Sequence, residues 1–329
     1  MKRLVIVVAV CVYACCLSAS AKDWVEYAGG DGPGAGKHIV LVSGDEEYRS
    51  EEALPMLGKI LAVRHGFRCT VLFAVNPDDG TIDPNNKSNI PGFERIAEAD
   101  LVILFLRMRE LPDRQMQHLA NHLNAGKPLL GLRTSTHAFE YASDTQSAFA
   151  KWDRRNKGGG FGQEVLGETW VNHHGEHGKE SARGLINGMY ESHPVLRGVR
   201  DIWGPTDVYG VKHLPDDAKV LVYGQVLKGM KPDDPPNLDK SIMPMIWQRD
   251  YKAESGTTAN ILCSTIGSGP DFECEDLRRL VVNFSYWSLG LADALPDKAD
   301  VDYVGEYKPA YFGFDGAKKG VRPSDHELR

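Results

Sequence analysis

The sequence predicts an α/β fold built on a parallel sheet covered on both faces. Three observations lead there. Short apolar runs at 37–43 (KHIVLVS), 68–75, 100–106 (DLVILFL) and 127–132 (KPLLGL) lack the alternation of a half-exposed strand. Segments of helical spacing separate several of them. Turn-forming residues punctuate the junctions.

The first run ends at Gly44 and reads as a buried strand. Residues 51–64 place Leu54, Leu57, Ile60 and Leu61 on one helical face, and Gly66 stops that helix. Residues 68–75 form the second strand. Residues 77–91 are rich in Asn, Asp, Gly and Pro and make a surface excursion. The third strand, 100–106, leads to a helix at 112–124, with Pro112 in its first turn and Gly126 past its end. The fourth strand is 127–132. The second half is less regular: 152–162 is a glycine-rich basic loop, and short strands are expected at 206–211, 219–225, 243–248 and 260–265. A final helix at 275–289 aligns Leu277, Leu280, Val281 and Phe284 in one stripe.

Residues 1–21 read as an export signal. Lys2 and Arg3 form the basic region, 4–17 is apolar but short for a membrane span, and Ala19-Ser20-Ala21 is a small-residue cleavage site. Cleavage after Ala21 gives a periplasmic or extracellular protein; Val12-Tyr13-Ala14-Cys15 is a poor lipobox, so anchoring at Cys15 is the weaker alternative. No later segment reaches about 18 apolar residues, so no membrane span is expected. Loss of Lys2 and Arg3 would make the formal charge of −7 more negative by two, a poor balance for a nucleic-acid partner. Three cysteines, Cys69, Cys263 and Cys274, follow the signal, enough for at most one disulfide. No CxxC is present, which argues against a structural zinc knuckle.

Ligands of an open parallel sheet bind beyond the carboxyl ends of its strands. That rule selects the loop Ser43-Gly44-Asp45-Glu46-Glu47-Tyr48-Arg49, the loop Arg107-Met108-Arg109-Glu110, and Arg133-Thr134-Ser135-Thr136-His137. The acids of the first loop could equally offset the dipole of the helix that follows. Arg107 and Arg109 could hold a carboxylate or sugar hydroxyls, or pair with Glu110. The third loop has the layout of a nucleophile elbow, but Arg133 stands at the nucleophile position and cannot attack. It is read as a binding cation, with His137 as a ligand or proton carrier.

The densest chemical signal is Trp170-Val171-Asn172-His173-His174-Gly175-Glu176-His177-Gly178. Neutral imidazole binds zinc-like metals and is also a general acid/base. His173, His174 and His177 are the candidate metal ligands, against the alternative of a solvated polar loop. Period two puts Asp207 and Tyr209 on one face of the 206–211 strand, an acid and a phenol suited to sugar hydroxyls. Trp170, Trp203 and Trp247 could stack on a pyranose ring, although burial in the core is the commoner fate of tryptophan.

The runs KPLLGLRTSTHAF, VLGETWVNHHGEHG, HPVLRGVRDIWGPTDVYGV, PMIWQRDY and CEDLRRLVVNFSYWSLGL, in this order and spacing, resemble the ThuA-like (trehalose-utilisation) family over roughly 37–292. The resemblance implies a flavodoxin-like, doubly wound, mostly parallel sheet related to class I glutamine amidotransferases, with irregular insertions. Residues 293–329 would then be a C-terminal extension packed on the domain. In those amidotransferases a cysteine occupies the elbow; Arg133 in its place removes the nucleophile for glutamine hydrolysis. ThuA-like proteins commonly carry glycine plus histidine at the elbow, whereas here His137 lies four residues beyond Arg133. The family is associated with sugar catabolism, some members with oxidised (3-keto) glucosides. The expectation is a secreted carbohydrate-active enzyme that cleaves a glycosidic bond with a divalent metal, zinc being the candidate, and with no nucleotide cofactor. Glu46, His137 and Asp207 would be catalytic, and Asp45, Arg107, Arg133 and Tyr209 would bind substrate. The rival expectation is a non-catalytic sugar-binding protein on the same scaffold.

Overall fold

The computed structural model describes residues 22–328; the expected export signal lies outside them. Among the described residues ten strands form one mixed sheet: β1 (Trp24–Tyr27), β2 (His38–Gly44), β3 (Arg68–Phe73), β4 (Leu101–Leu106), β5 (Leu129–Leu132), β6 (Ala182–Ile186), β7 (Ile202–Gly204), β8 (Lys219–Val226), β9 (Met243–Lys252) and β10 (Thr258–Ser264). Their spatial order is β1-β3-β2-β4-β5-β10-β9-β8-β6-β7. The five strands β3-β2-β4-β5-β10 are mutually parallel. Antiparallel strands flank them, β1 on one side and β9, β8, β6 and β7 on the other.

The uniform hydrophobicity of the central strands has a direct cause. Ile39 and Leu41 of β2, with Leu101, Ile103 and Phe105 of β4, belong to the core on one face. Val40 and Val42, with Val102, Leu104 and Leu106, belong to the core on the other. Both faces are buried, so neither set of alternate positions can be polar. The helices α1 (Ser50–His65) and α3 (Glu275–Ser288) supply the first core, and α2 (Asp113–Asn124) contributes to the second. All four stripe residues of α3 are buried, each contributing about 1.5–3 kcal/mol of apolar burial. Gly66 ends α1 at φ +81°, a left-handed conformation that glycine adopts without a Cβ penalty.

The 206–211 strand does not form. A three-residue strand, β7, precedes that position, and only the isolated bridge His173–Tyr209 marks the segment itself. The segment is instead an irregular stretch bonded to the histidine loop: the His174 and Gly175 N–H groups donate to the Val208 carbonyl and the Gly210 N–H to the Asn172 carbonyl. Two flanking strands, β1 and β6, are too short, at four and five residues, to stand out in the sequence. Cys69 and Cys263 are buried in β3 and β10, and all three described cysteines are free. Among the described residues no helix is long and apolar enough to cross a membrane.

Candidate functional site

At the carboxyl end of β5 the chain turns sharply. Arg133 has φ +42°, in the left-handed region that non-glycine residues rarely occupy, and opens the short helical turn Arg133–His137. The backbone elbow anticipated from the sequence is therefore present. The arginine on it does not face solvent. Its guanidinium is fully buried between two tyrosine rings, 4.4 Å from the centroid of Tyr48 and 4.1 Å from that of Tyr209. It donates to the Thr265 carbonyl (2.7 Å), to the Asp207 carbonyl (2.9 Å) and to Asp207 Oδ1 (2.9 Å). Arg133 thus braces three loops from below.

Asp207 is the node of the site. Its carboxylate accepts from Arg133 on Oδ1, pairs with His177 Nδ1 on Oδ1 (3.1 Å) and pairs with His173 Nδ1 on Oδ2 (2.8 Å). Burial alone would raise its pKa, but the Arg133 charge and the two histidine hydrogen bonds outweigh that and hold the carboxyl well below the ordinary carboxylate range. His173, His177 and Asp207 each offer one ligand atom, all within 4.8 Å of one another. Both imidazoles keep side-chain exposures of 35%. The His173 and His177 rings lie 4.8 Å apart.

The two histidines border a cavity of about 480 Å³. Glu47, Arg107, His137, His173 and His177 give it polar walls; Tyr48, Met108, Trp170, Tyr209 and Phe314 give it apolar ones. Glu47 reaches His177 Nε2 at 3.6 Å and Arg107 Nε at 3.4 Å. Its partial burial raises its pKa above the usual value despite the cations beside it. His137 is almost fully buried, 5.7 Å from the Trp170 ring. Burial first, and then the charges of Arg107, Arg154 and Arg133, push its pKa well down, so it is a neutral imidazole at pH 7.

The structure sorts the residues singled out from the sequence. His137, Arg107, Tyr209, His173 and His177 line the cavity, and Asp207 lies directly behind the two histidines. His174 is turned away, its Nε2 paired with the Ser241 carbonyl at 2.8 Å, because the chain reverses at this point to bond with Val208. Glu46 is gripped by Arg107 and Arg109 rather than facing the cavity. Asp45 is fully buried and takes up the backbone N–H groups of Glu47 (2.7 Å) and Tyr48 and the Thr134 hydroxyl. It shapes the loop instead of meeting a ligand. Ser135 is buried and donates to the Leu104 carbonyl at 2.8 Å. Of the tryptophans, Trp170 borders the cavity while Trp247 is core and donates to the Leu166 carbonyl at 2.7 Å.

Sequence reasoning did not single out Glu47, Tyr48 or Phe314 for the site. Glu47 was visible as the neighbour of Glu46. Which of two adjacent acids faces the cavity depends on where Arg107 and Arg109 fall, and that is a tertiary property. Phe314 lies 137 positions from His177 in the chain, and no local pattern connects them.

No protein-family model matches the chain, and no curated protein matches its sequence. Solved structures do resemble it. A protein described as ThuA-like from Parabacteroides merdae is 12% identical, with 77% of this chain and 90% of that one covered and a TM-score of 0.50. One from Bacteroides uniformis, also described as ThuA-like, is 14% identical, with 80% and 95% covered and a TM-score of 0.49. The chain has a ThuA-like fold, and this is the family that its motifs resemble.

Proposed function

We propose that the protein is an exported carbohydrate-active enzyme whose centre is the His173–His177–Asp207 group and whose substrate is a glycoside bound in the adjoining cavity. One observation carries this reading. Two half-exposed imidazoles converge on one buried carboxylate, at the wall of a cavity that also offers aromatic rings and a carboxyl. The parallel strand order supports the finer fold reading as well: β3-β2-β4-β5-β10 is the 2-1-3-4-5 order of a flavodoxin-like, doubly wound sheet, and the cavity adjoins loops at its carboxyl edge.

The donor set suits a divalent ion of zinc type, two imidazole nitrogens and a carboxylate oxygen. Such an ion would supply Lewis-acid polarisation of a substrate oxygen. The chain's own residues do the rest. Arg133 holds Asp207 ionised, and Asp207 fixes the ring orientations of both histidines. Glu47 lines the same cavity, where it can give a proton to the departing glycosidic oxygen or take one from the attacking water. His137, kept neutral, can accept a hydrogen bond from a sugar hydroxyl. Arg107 offers hydrogen bonds while it holds Glu46 and Glu47 in place.

A second reading is favoured by one specific feature. Glu46 is tied to two arginines, so the cavity lacks the second free carboxyl of an ordinary glycosidase pair. A sugar-binding protein without turnover fits that arrangement. Zinc content after loading and dialysis, together with release of reducing sugar from a panel of glucosides, separates the two. One bound ion and turnover lost in Glu47→Gln support the enzyme. Sugar binding with neither ion nor turnover supports the binding protein.

A further inference from the structure

The C-terminal residues 311–314 are fixed against the cavity by several ties. Arg49, fully buried and in the left-handed region at φ +63°, donates from Nε to the Tyr311 carbonyl (3.1 Å) and from Nη2 to the Gly313 carbonyl. The Gly313 N–H donates to the Glu47 carbonyl at 2.7 Å. The Phe312 ring packs against Tyr48 (5.6 Å) and His177 (5.3 Å) and is 7% exposed. Gly316 has no room for a side chain: a Cβ there would lie 2.3 Å from Arg49 Nη2. Just upstream, Ala310 N–H donates to Glu52 Oε2 and the Tyr307 hydroxyl to the Gly269 carbonyl, both at 2.7 Å. Irregular backbone tied at this density has a defined position.

Within this fixed segment one aromatic residue is left open. Phe314 borders the cavity but is 58% exposed. The Arg107 guanidinium lies over its ring at 5.1 Å, which accounts for one face. The remaining apolar surface has no ring or cation partner among the described residues, beside a wall of imidazoles and the Glu47 carboxyl. A ligand with one apolar face and a polar rim matches both surfaces at once, and a pyranose ring has that form: its axial C–H bonds present an apolar patch and its hydroxyls radiate outward.

We propose that the C-terminal segment is a wall of the binding site, that Phe314 is the platform on which a pyranose ring stacks, and that Arg49 positions that wall. This rests on the reading of the cavity as a sugar site. Calorimetric titration of the full chain with methyl β-glucoside, maltose and cellobiose, with sorbitol as an acyclic control, tests it in wild type, Phe314→Ala, Phe314→Leu and Phe314→Tyr. Titration with zinc ion checks that the histidine centre is intact in each. The expected result is binding of at least one pyranoside but not of sorbitol, weakened about tenfold or more by Ala or Leu, as the loss of stacked apolar area implies, and restored to within about threefold by Tyr. Leucine keeps bulk without a flat ring, so its failure to rescue separates stacking from folding. Unchanged pyranoside affinity in Phe314→Ala and Phe314→Leu overturns the platform alone. No pyranoside binding by wild type overturns the sugar reading and the platform with it.

Discussion

The loops after β2, β4 and β5 and the segments carrying His173, His177 and Asp207 meet at one cavity, but they use their charges differently. In the first set Glu46 pairs with Arg107 and Arg109, Asp45 caps its own loop, and Arg133 is enclosed by tyrosines and carbonyls. Most of these groups are saturated by partners within the protein. In the second set the two imidazoles contact Asp207 through one nitrogen and keep part of their surface exposed. Charge at the ends of the parallel strands mainly builds the floor of this site, and the open valences come from the irregular half. The exceptions are Glu47, Arg107 and His137, which line the cavity.

The largest effect should come from breaking the floor. Arg133→Met removes the cation that compensates buried Asp207 and should cost about 3–5 kcal/mol, the usual penalty for leaving a buried charge unpaired; urea unfolding measures it. A loss below about 1 kcal/mol would show that the brace is dispensable.

Asp207→Asn tests the joint between the two regions. It removes an ionised oxygen donor of the centre together with the charge that aligns both rings, and zinc affinity should fall about 10–100-fold or more. An unaltered affinity measured by competition with a chromophoric chelator would separate Asp207 from the centre.

Glu51 is an unsaturated acid on the floor side. Neither of its oxygens has a hydrogen-bond partner, Arg49 Nη1 lies 3.7 Å away, and burial pushes its carboxyl up to about 8. A carboxyl whose folded pKa is raised contributes stability below its unfolded value, near 4.3, that is lost as pH rises through the folded value. Glu51→Gln should therefore stabilise the protein at pH 8, by about 1–3 kcal/mol, and leave it nearly unchanged at pH 4. A thermal-unfolding series across that range reads the difference; an equal shift at both ends would contradict the assignment.

The smallest effect is expected at His174. Its ring meets a backbone carbonyl outside the cavity, so His174→Ala should change stability by less than about 0.5 kcal/mol and leave zinc affinity intact.

Much of the scaffold was legible because its cause is local. Apolar runs without alternation located the central strands, and Gly66 and Gly126 located helix ends. The backbone elbow was legible too, since strand, Gly131 and a polar turn fall within a few residues. The 206–211 segment misled because alternation alone cannot tell a strand from an irregular stretch whose residues alternate for another reason: here Asp207 and Tyr209 meet both Arg133 and the histidines, while Val208 between them packs in the core. Histidine density marked the loop but not the geometry. His173 and His174 are neighbours in sequence, yet only one meets Asp207, and the choice depends on the reversal that sends the His174 N–H to the Val208 carbonyl. Phe312 and Phe314 gave no sequence signal for the site at all, because their contacts with Tyr48, His177 and Arg107 arise only from folding.

The most direct test of the histidine centre is calorimetric titration with zinc ion at pH 7.5 and 5.5, in wild type, His174→Ala and the double variant His173→Ala/His177→Ala. One equivalent should bind wild type and His174→Ala alike at pH 7.5, binding should weaken at pH 5.5 as protons compete for the imidazoles, and the double variant should not bind. Equal zinc binding by the double variant, or loss of binding in His174→Ala, would contradict the account.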